Sequence, residues 1–204
     1  MTEPAGSPQN QQFSFGLGSQ NRIDGIPRAV VGVQPQVRIG VKRHLEKRGW
    51  TVTDMTPDSD CLPMYHRVGF LVGSQISEGE FEKALIFCGS GLGIHIAASK
   101  CPHVHAAVCE SVPTARRDAT ANNANVLAIG AFFTAARLAS AMADEFLEHS
   151  LGDGYEAWDG FYDYHRLGYD ECENFDYNSF KADGFQVSDP TVPALGPEPQ
   201  GLAF

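Results

Sequence analysis

The chain has no excess of positive charge, no closely paired cysteines and no long apolar run, and each absence narrows what it can be. Its 15 lysines and arginines face 25 acidic residues, a net charge of −10. A nucleic-acid surface needs clustered cations to displace counterions from phosphates, so this balance argues against a nucleic-acid partner. A small anion is still allowed, because a local group of donors can hold one against the overall field. The five cysteines (Cys61, Cys88, Cys101, Cys109 and Cys172) are odd in number and scattered. They do not form a disulfide framework, and the lack of any CxxC pair speaks against a structural zinc site. No metal and no cofactor is expected. No apolar stretch approaches the roughly 20 residues that cross a bilayer. The opening MTEPAGSPQNQQFSFGLGSQ has no basic start followed by an apolar segment, so it does not read as a secretory signal. A soluble, reducing, cytoplasmic setting without a membrane partner is the expectation.

What is present is an ordinary globular composition, 43% hydrophobic and 20% charged over 204 residues, which suits one domain with decorated ends. Residues 1–27 are rich in Gln, Ser, Gly, Pro and Asn and read as a disordered or extended segment, with Phe13, Phe15 and Leu17 able to dock as a short strand. From 28 to 150, strand and helix signals alternate. Buried-strand runs occur at Arg28–Val33, Thr51–Asp54, Ala84–Cys88, Val104–Cys109 and Asn125–Ile129. Helical periodicity occupies Val37–Arg48, Tyr65–Ile76, Gly91–Ser99, Val112–Thr120 and Ala135–Glu148. The pattern predicts an α/β fold, a Rossmann-like three-layer α/β/α sandwich around a five-stranded parallel sheet. Residues 151–204 break the pattern with an acidic, aromatic extension and a Pro-rich tail from Ser188. The aromatics of 152–185 are expected to pack or form an interface more than to touch substrate.

The run Cys88-Gly89-Ser90-Gly91-Leu92-Gly93 joins a buried strand to a helix. Ligands of parallel α/β sheets bind beyond the carboxyl ends of the strands, and Cys88 stands at such an end. Glycines let the backbone turn tightly and approach a ligand, and the loop and helix start offer N–H groups to an anion. Such a setting favours thiolate over thiol, and a thiolate beside oxyanion-stabilising amides suits removal of a proton next to a carbonyl. A tight turn holding a structural cysteine is the competing reading.

Residues 84–131, ALIFCGSGLGIHIAASKCPHVHAAVCESVPTARRDATANNANVLAIGA, resemble the central signature of the type B ribose-5-phosphate isomerase and galactose-6-phosphate isomerase family. That family carries a Cys-Gly-Thr-Gly loop, an Ala-Ala-Asn-Lys helix end and a His-Asn-Asp-Ala-Asn-Val-Leu segment. Here the matching residues are Cys88–Gly91, Ala97–Lys100 and Ala121–Leu127, and with the stretch 62–85 the resemblance covers roughly 28–150. It implies aldose–ketose isomerisation of a small substrate through an enediolate. Cys88 would then be the base, Ser90 a hydrogen-bonding group for the substrate, the Gly89–Gly93 amides the oxyanion donors, and Asn122 the support of the enediolate. It also implies a homodimer whose sites form between subunits.

The chain departs from the family pattern at the flanks. The Asp-His-Ala-Gly motif after the first strand is replaced by Gly32-Val33-Gln34-Pro35-Gln36. Ala121 stands where the ring-opening histidine belongs, and Phe132 where an arginine follows the last strand. An acyclic substrate, such as a tetrulose phosphate, therefore fits better than ribose 5-phosphate. Arg116 is the named candidate for the lost anion contacts, with Arg38, Arg117 and Arg166 as further cations, and His95 is a candidate acid on the helix after the loop. His103 and His105 fall on one side of a strand start without a third ligand nearby. The rival function is a non-catalytic descendant that binds a metabolite or a protein.

Overall fold

A computed structural model of the chain describes residues 28–32 (backbone only), 35–56, 64–187 and 194–200. The segment 1–27, Cys61 and residues 188–193 and 201–204 of the tail lie outside the described residues.

Strands β1 (Arg28–Gly32), β2 (Val52–Asp54), β3 (Ala84–Cys88), β4 (Ala106–Val108) and β5 (Val126–Gly130) are hydrogen-bonded in the order β2-β1-β3-β5-β4, and every neighbouring pair is parallel. Parallel strands need long crossovers. These are supplied by α1 (Pro35–Lys47), α2 (Tyr65–Ser77), α3 (Leu92–Ala98) and α4 (Val112–Asn122), and α5 (Ala136–Glu148) follows β5.

Alternation along β3 and β5 sorts the core into two faces. Leu85, Phe87, Leu127 and Ile129 pack with Val37, Val41 and Leu45 of α1, Ala115 and Ala119 of α4, and Met142 and Phe146 of α5. Ala84, Ile86, Cys88, Val126 and Ala128 face the other way, toward Val68, Val72 and Ile76 of α2 and Ile94 and Ala98 of α3. Both central strands are buried throughout, as a sheet covered on two faces requires. The mixed α/β fold with a parallel sheet is therefore as the alternation predicts.

Helix α4 has the clearest local instructions. Ser111 and Thr114 form a reciprocal capping box on either side of Pro113, so the first free amides are satisfied. Asn123 closes the helix in the left-handed region, at φ 52°, which asparagine tolerates better than most residues. The chain is thereby turned sharply into β5, leaving the last turn of α4 at the amino end of the sheet.

The extension departs from the expected picture. It contains two further helices, α6 (Phe161–Glu173) and α7 (Tyr177–Ala182). Tyr155, Trp158 and Phe161 close over Ala121, and Leu195 of the tail joins them. The Trp158 indole donates to the Gly196 carbonyl at 2.6 Å. Aromatic crowding hid the helical period of α6, because only Phe161 of its thirteen residues is buried.

Candidate functional site

Cys88 is the last residue of β3, and α3 begins at Leu92. Cys88 is 6% exposed, and its Sγ accepts a hydrogen bond from the Gly91 N–H at 3.2 Å. That bond depends on the turn: Gly91 lies at φ 80°, a region that strains any residue with a side chain. The loop also folds directly over the end of β5. A Cβ on Gly130 would stand 2.7 Å from the Ser90 carbonyl oxygen, so only glycine permits this approach. The Ser90 hydroxyl accepts from the Leu92 N–H at 3.4 Å. Gly89 and Gly93 lie against the rings of Phe132 and Tyr65 respectively. His95 sits half-buried on α3.

Cys109, the other cysteine near a strand's carboxyl end, is set apart by its surroundings. Burial, reinforced by the nearby Asp118 charge, pushes its thiol up to about 12, so it stays protonated and unreactive.

Asn122 is at the other end of the molecule. It closes α4 four residues before Val126, which pairs with Ala84, whereas Cys88 pairs with Gly130. The two positions are separated by at least four strand residues, roughly 13 Å. Within one chain no single reacting centre can touch both. Arg116, also on α4, lies against Gly154 and approaches Glu145 at 3.9 Å, and it is not part of the Cys88 loop.

Around Asn122 a cavity of about 510 Å³ opens between α4, the start of β4 and α6, lined among others by His105, Asp118, Ala121, Asn122 and His165. Asp118 was not singled out from the sequence. Its signal was its spacing: positions three and four residues apart share a helix face, which puts Asp118 beside Ala121 and Asn122. The carboxyl is 4% exposed. The Asn122 amide donates to Oδ1 at 3.3 Å, while Oδ2 has no hydrogen-bond partner among the described residues. Burial pushes its pKa up to about 6, against the opposing pull of the Asn122 hydrogen bond and Lys83.

This has a consequence for stability. Between pH 3.8 and about 6 the folded chain keeps a proton on Asp118 that the unfolded chain releases, so stability falls as pH rises through that window and levels off above it. Asp118→Asn removes the charge without changing the shape. It is expected to stabilise the fold by about 2–3 kcal/mol at pH 7.5, with the gain shrinking toward zero near pH 4. Urea denaturation of both proteins at the two pH values checks this, and an equal effect at both would contradict it.

Helix α6 also resolves the histidine pair. His103 and His105 both bond to the Glu173 carboxylate, a third group that arrives from about 70 residues downstream. Burial raises the Glu173 pKa, but the two histidine hydrogen bonds outweigh it and hold the carboxyl below its ordinary value. Among the described residues no group of three or more His, Cys, Asp or Glu side chains is arranged to hold a metal ion.

The other candidate cations are committed within the chain. Arg38 pairs with Asp54, at the carboxyl end of β2, and its Nε is buried without a hydrogen-bond partner among the described residues. Arg117 lies over the rings of Tyr155 and Phe161 at 4.7 and 5.1 Å. Arg166 grips Asp170 through both carboxylate oxygens at 2.9 Å. Of these candidates, Arg38 lies at the carboxyl side of the sheet, where Cys88 also lies.

The chain is 34% identical over 119 residues to a 4-deoxy-4-sulfo-D-erythrose isomerase of Clostridium sp. (strain MSTE9), covering 58% of this chain and 75% of that one. It is 31% identical over 115 residues to a D-erythrulose-4-phosphate isomerase of Pectobacterium atrosepticum, covering 56% and 76%. A solved ribose 5-phosphate isomerase of Thermotoga maritima superposes with a TM-score of 0.64 at 25% identity, covering 74% of this chain and 99% of that one. The sequence profile of the ribose/galactose isomerase family matches residues 33–157, a span holding the whole sheet beyond β1, the Cys88 loop and Asn122. The chain belongs to the ribose/galactose isomerase family.

Proposed function

We propose that the protein is a cytoplasmic aldose–ketose isomerase that acts on a small sugar phosphate, or a related α-hydroxycarbonyl compound, through a cis-enediolate. Cys88 is the base that moves a proton between C1 and C2. Ser90 and the amides of Gly89, Gly91, Leu92 and Gly93 hold the developing oxyanion, with His95 and Arg116 as further substrate contacts and no cofactor. The observation that carries this reading is the Cys88 sulfur at a strand's carboxyl end with an N–H aimed at it, inside the segment matched by the family. A Rossmann-like three-layer sandwich suits such a site, and the two-sided core is consistent with it.

The separation of Cys88 from Asn122 supports a homodimer in which each site takes Cys88 from one protomer and Asn122 from its partner. Exposed apolar side chains gather around the loop: Tyr65 and Phe132 against its glycines, with Leu92 and Ile96 on α3 and Phe133 beside Phe132. A cluster of this kind marks an interaction surface. Among the described residues no helix is long and apolar enough to cross a membrane.

A four-carbon substrate with an anionic end is favoured. The relatives named for erythrulose 4-phosphate and sulfo-erythrose support it, and Ala121 offers no proton for opening a sugar ring. The test is proton NMR in D2O. D-Erythrulose 4-phosphate should lose its α-proton signal and equilibrate with its aldose. Ribose 5-phosphate should react at least about tenfold more slowly, since a missing general acid costs 10²–10⁴ where ring opening limits the rate. A non-catalytic binder is the rival reading, favoured by the internal partners of Arg116, Arg117 and Arg166. Absence of exchange with tetrulose and pentulose phosphates and unphosphorylated ketoses would make it the better one.

A further inference from the structure

We propose that Asp118 is the group that carries the proton between the two substrate oxygens during isomerisation. The proposal rests on the isomerase reading and on the partner's Cys88 docking against this chain's cavity. Isomerisation needs two proton movements. Cys88 accounts for the one between carbons, while the one between O1 and O2 has no assigned carrier.

Asp118 meets the geometric needs of such a carrier. It is one helical turn before Ala121 and Asn122 and lines the same cavity. One carboxylate oxygen is fixed by the Asn122 amide, and the other is buried with no hydrogen-bond partner among the described residues. An orphaned buried carboxylate oxygen costs stability, and a residue kept at such a cost points to function. Around it stand Lys83 ahead of β3, Cys109 after β4 and His105 at the start of β4. Tyr164, His165, Tyr169 and Cys172 face the cavity from α6. Among these Cys109 is held protonated by burial. Burial pushes the His165 pKa below its ordinary value, and its ring stacks on Phe161 at 4.1 Å. A carboxyl pushed up to about 6 can both give and take a proton near neutral pH.

The step balances without an outside reactant. From the aldose, the Cys88 thiolate takes the C2 proton, the C2–H pair becomes the C1=C2 bond, and the carbonyl pair moves onto O1. The Asp118 carboxyl gives its proton to O1, forming the enediol. The Asp118 carboxylate then takes the proton from O2, whose freed pair forms the C2=O2 carbonyl. The C1=C2 pair takes the proton back from the Cys88 thiol at C1. The product is the ketose, and both residues return to their starting states.

The experiment compares wild type, Asp118→Asn, His165→Gln and Cys88→Ala as full chains with D-erythrulose 4-phosphate between pH 5 and 8. Elution volume and circular dichroism are recorded alongside. Asp118→Asn is expected to lower kcat by about 100-fold or more, to change the Kd for this compound less than about threefold, and to lose the wild type's rate dependence near pH 6. His165→Gln should keep that dependence. Asp118 is overturned if its variant turns over within about threefold of wild type while Cys88→Ala is dead. It is equally overturned if the pH dependence disappears with His165→Gln instead, or if the loss lies in Kd and not in kcat. If wild type and Cys88→Ala behave alike, the isomerase reading itself fails and takes this assignment with it. Should Asp118→Asn not fold, carbon-13 titration of the wild-type carboxyl decides: a pKa that does not match the pH dependence of the rate rules Asp118 out.

Discussion

Cys88→Ala is expected to abolish α-proton exchange and isomerisation, a loss of about 10³-fold or more, while the fold is little changed. The size follows from the role, since a positioned base contributes about 10²–10⁴ and no other described thiol can take over. Cys109 is held protonated. Cys101 lies past α3 with Sγ toward the Phe70 carbonyl, and Cys172 is on α6. The small cost in stability follows from the packing. Cys88 is at the rim of the α2–α3 side of the core and not at its centre, so losing one sulfur leaves a void of modest size and costs about 1 kcal/mol. Cys88→Ser should be almost as inactive, because a hydroxyl is a far weaker acid than a thiol, although it retains an acceptor for the Gly91 N–H. Timed proton NMR in D2O, with wild type as reference, measures both. Exchange that persists unchanged in Cys88→Ala would remove Cys88 as the base.

Mixing two dead variants should restore activity. Cys88→Ala keeps Asn122, and Asn122→Ala keeps Cys88. If a site takes one residue from each protomer, a mixed dimer holds one intact site and one doubly altered site. Random reassembly from equal amounts makes half the dimers mixed, so roughly a quarter of wild-type activity should return. Against a background near zero this is a large and unambiguous effect. It also separates two accounts of Asn122. Its side chain donates to Asp118, so a purely structural role would lower the stability of Asn122→Ala without allowing rescue. Co-purification of differently tagged chains after mild denaturation and refolding, followed by the exchange assay, provides the measurement. Recovery absent despite proven mixed dimers would place the whole site within one chain.

The sequence by itself determined the α/β class, the parallel sheet, the family and the position of Cys88. These are local matters. Continuous apolar runs such as Ala84–Cys88, 3.6-residue stripes such as Val37, Val41 and Leu45, and a glycine turn between strand and helix are all written in neighbouring residues. The tertiary structure alone decided the rest, because long-range contacts leave no local period. It carried Asn122 to the end of the sheet away from Cys88 and turned the acidic, aromatic extension into α6. It brought Glu173 to His103 and His105 and gave Arg38, Arg117 and Arg166 partners of their own. It also separated Cys88 from Cys109, which look alike as cysteines at strand ends: the Cys88 sulfur accepts the Gly91 N–H, whereas Cys109 lies beside the Asp118 charge. Asp118 shows the division most clearly. Its helical spacing from Asn122 was legible, but the desolvation that makes its carboxyl titrate near neutrality exists only once α6 and the start of β4 close around it.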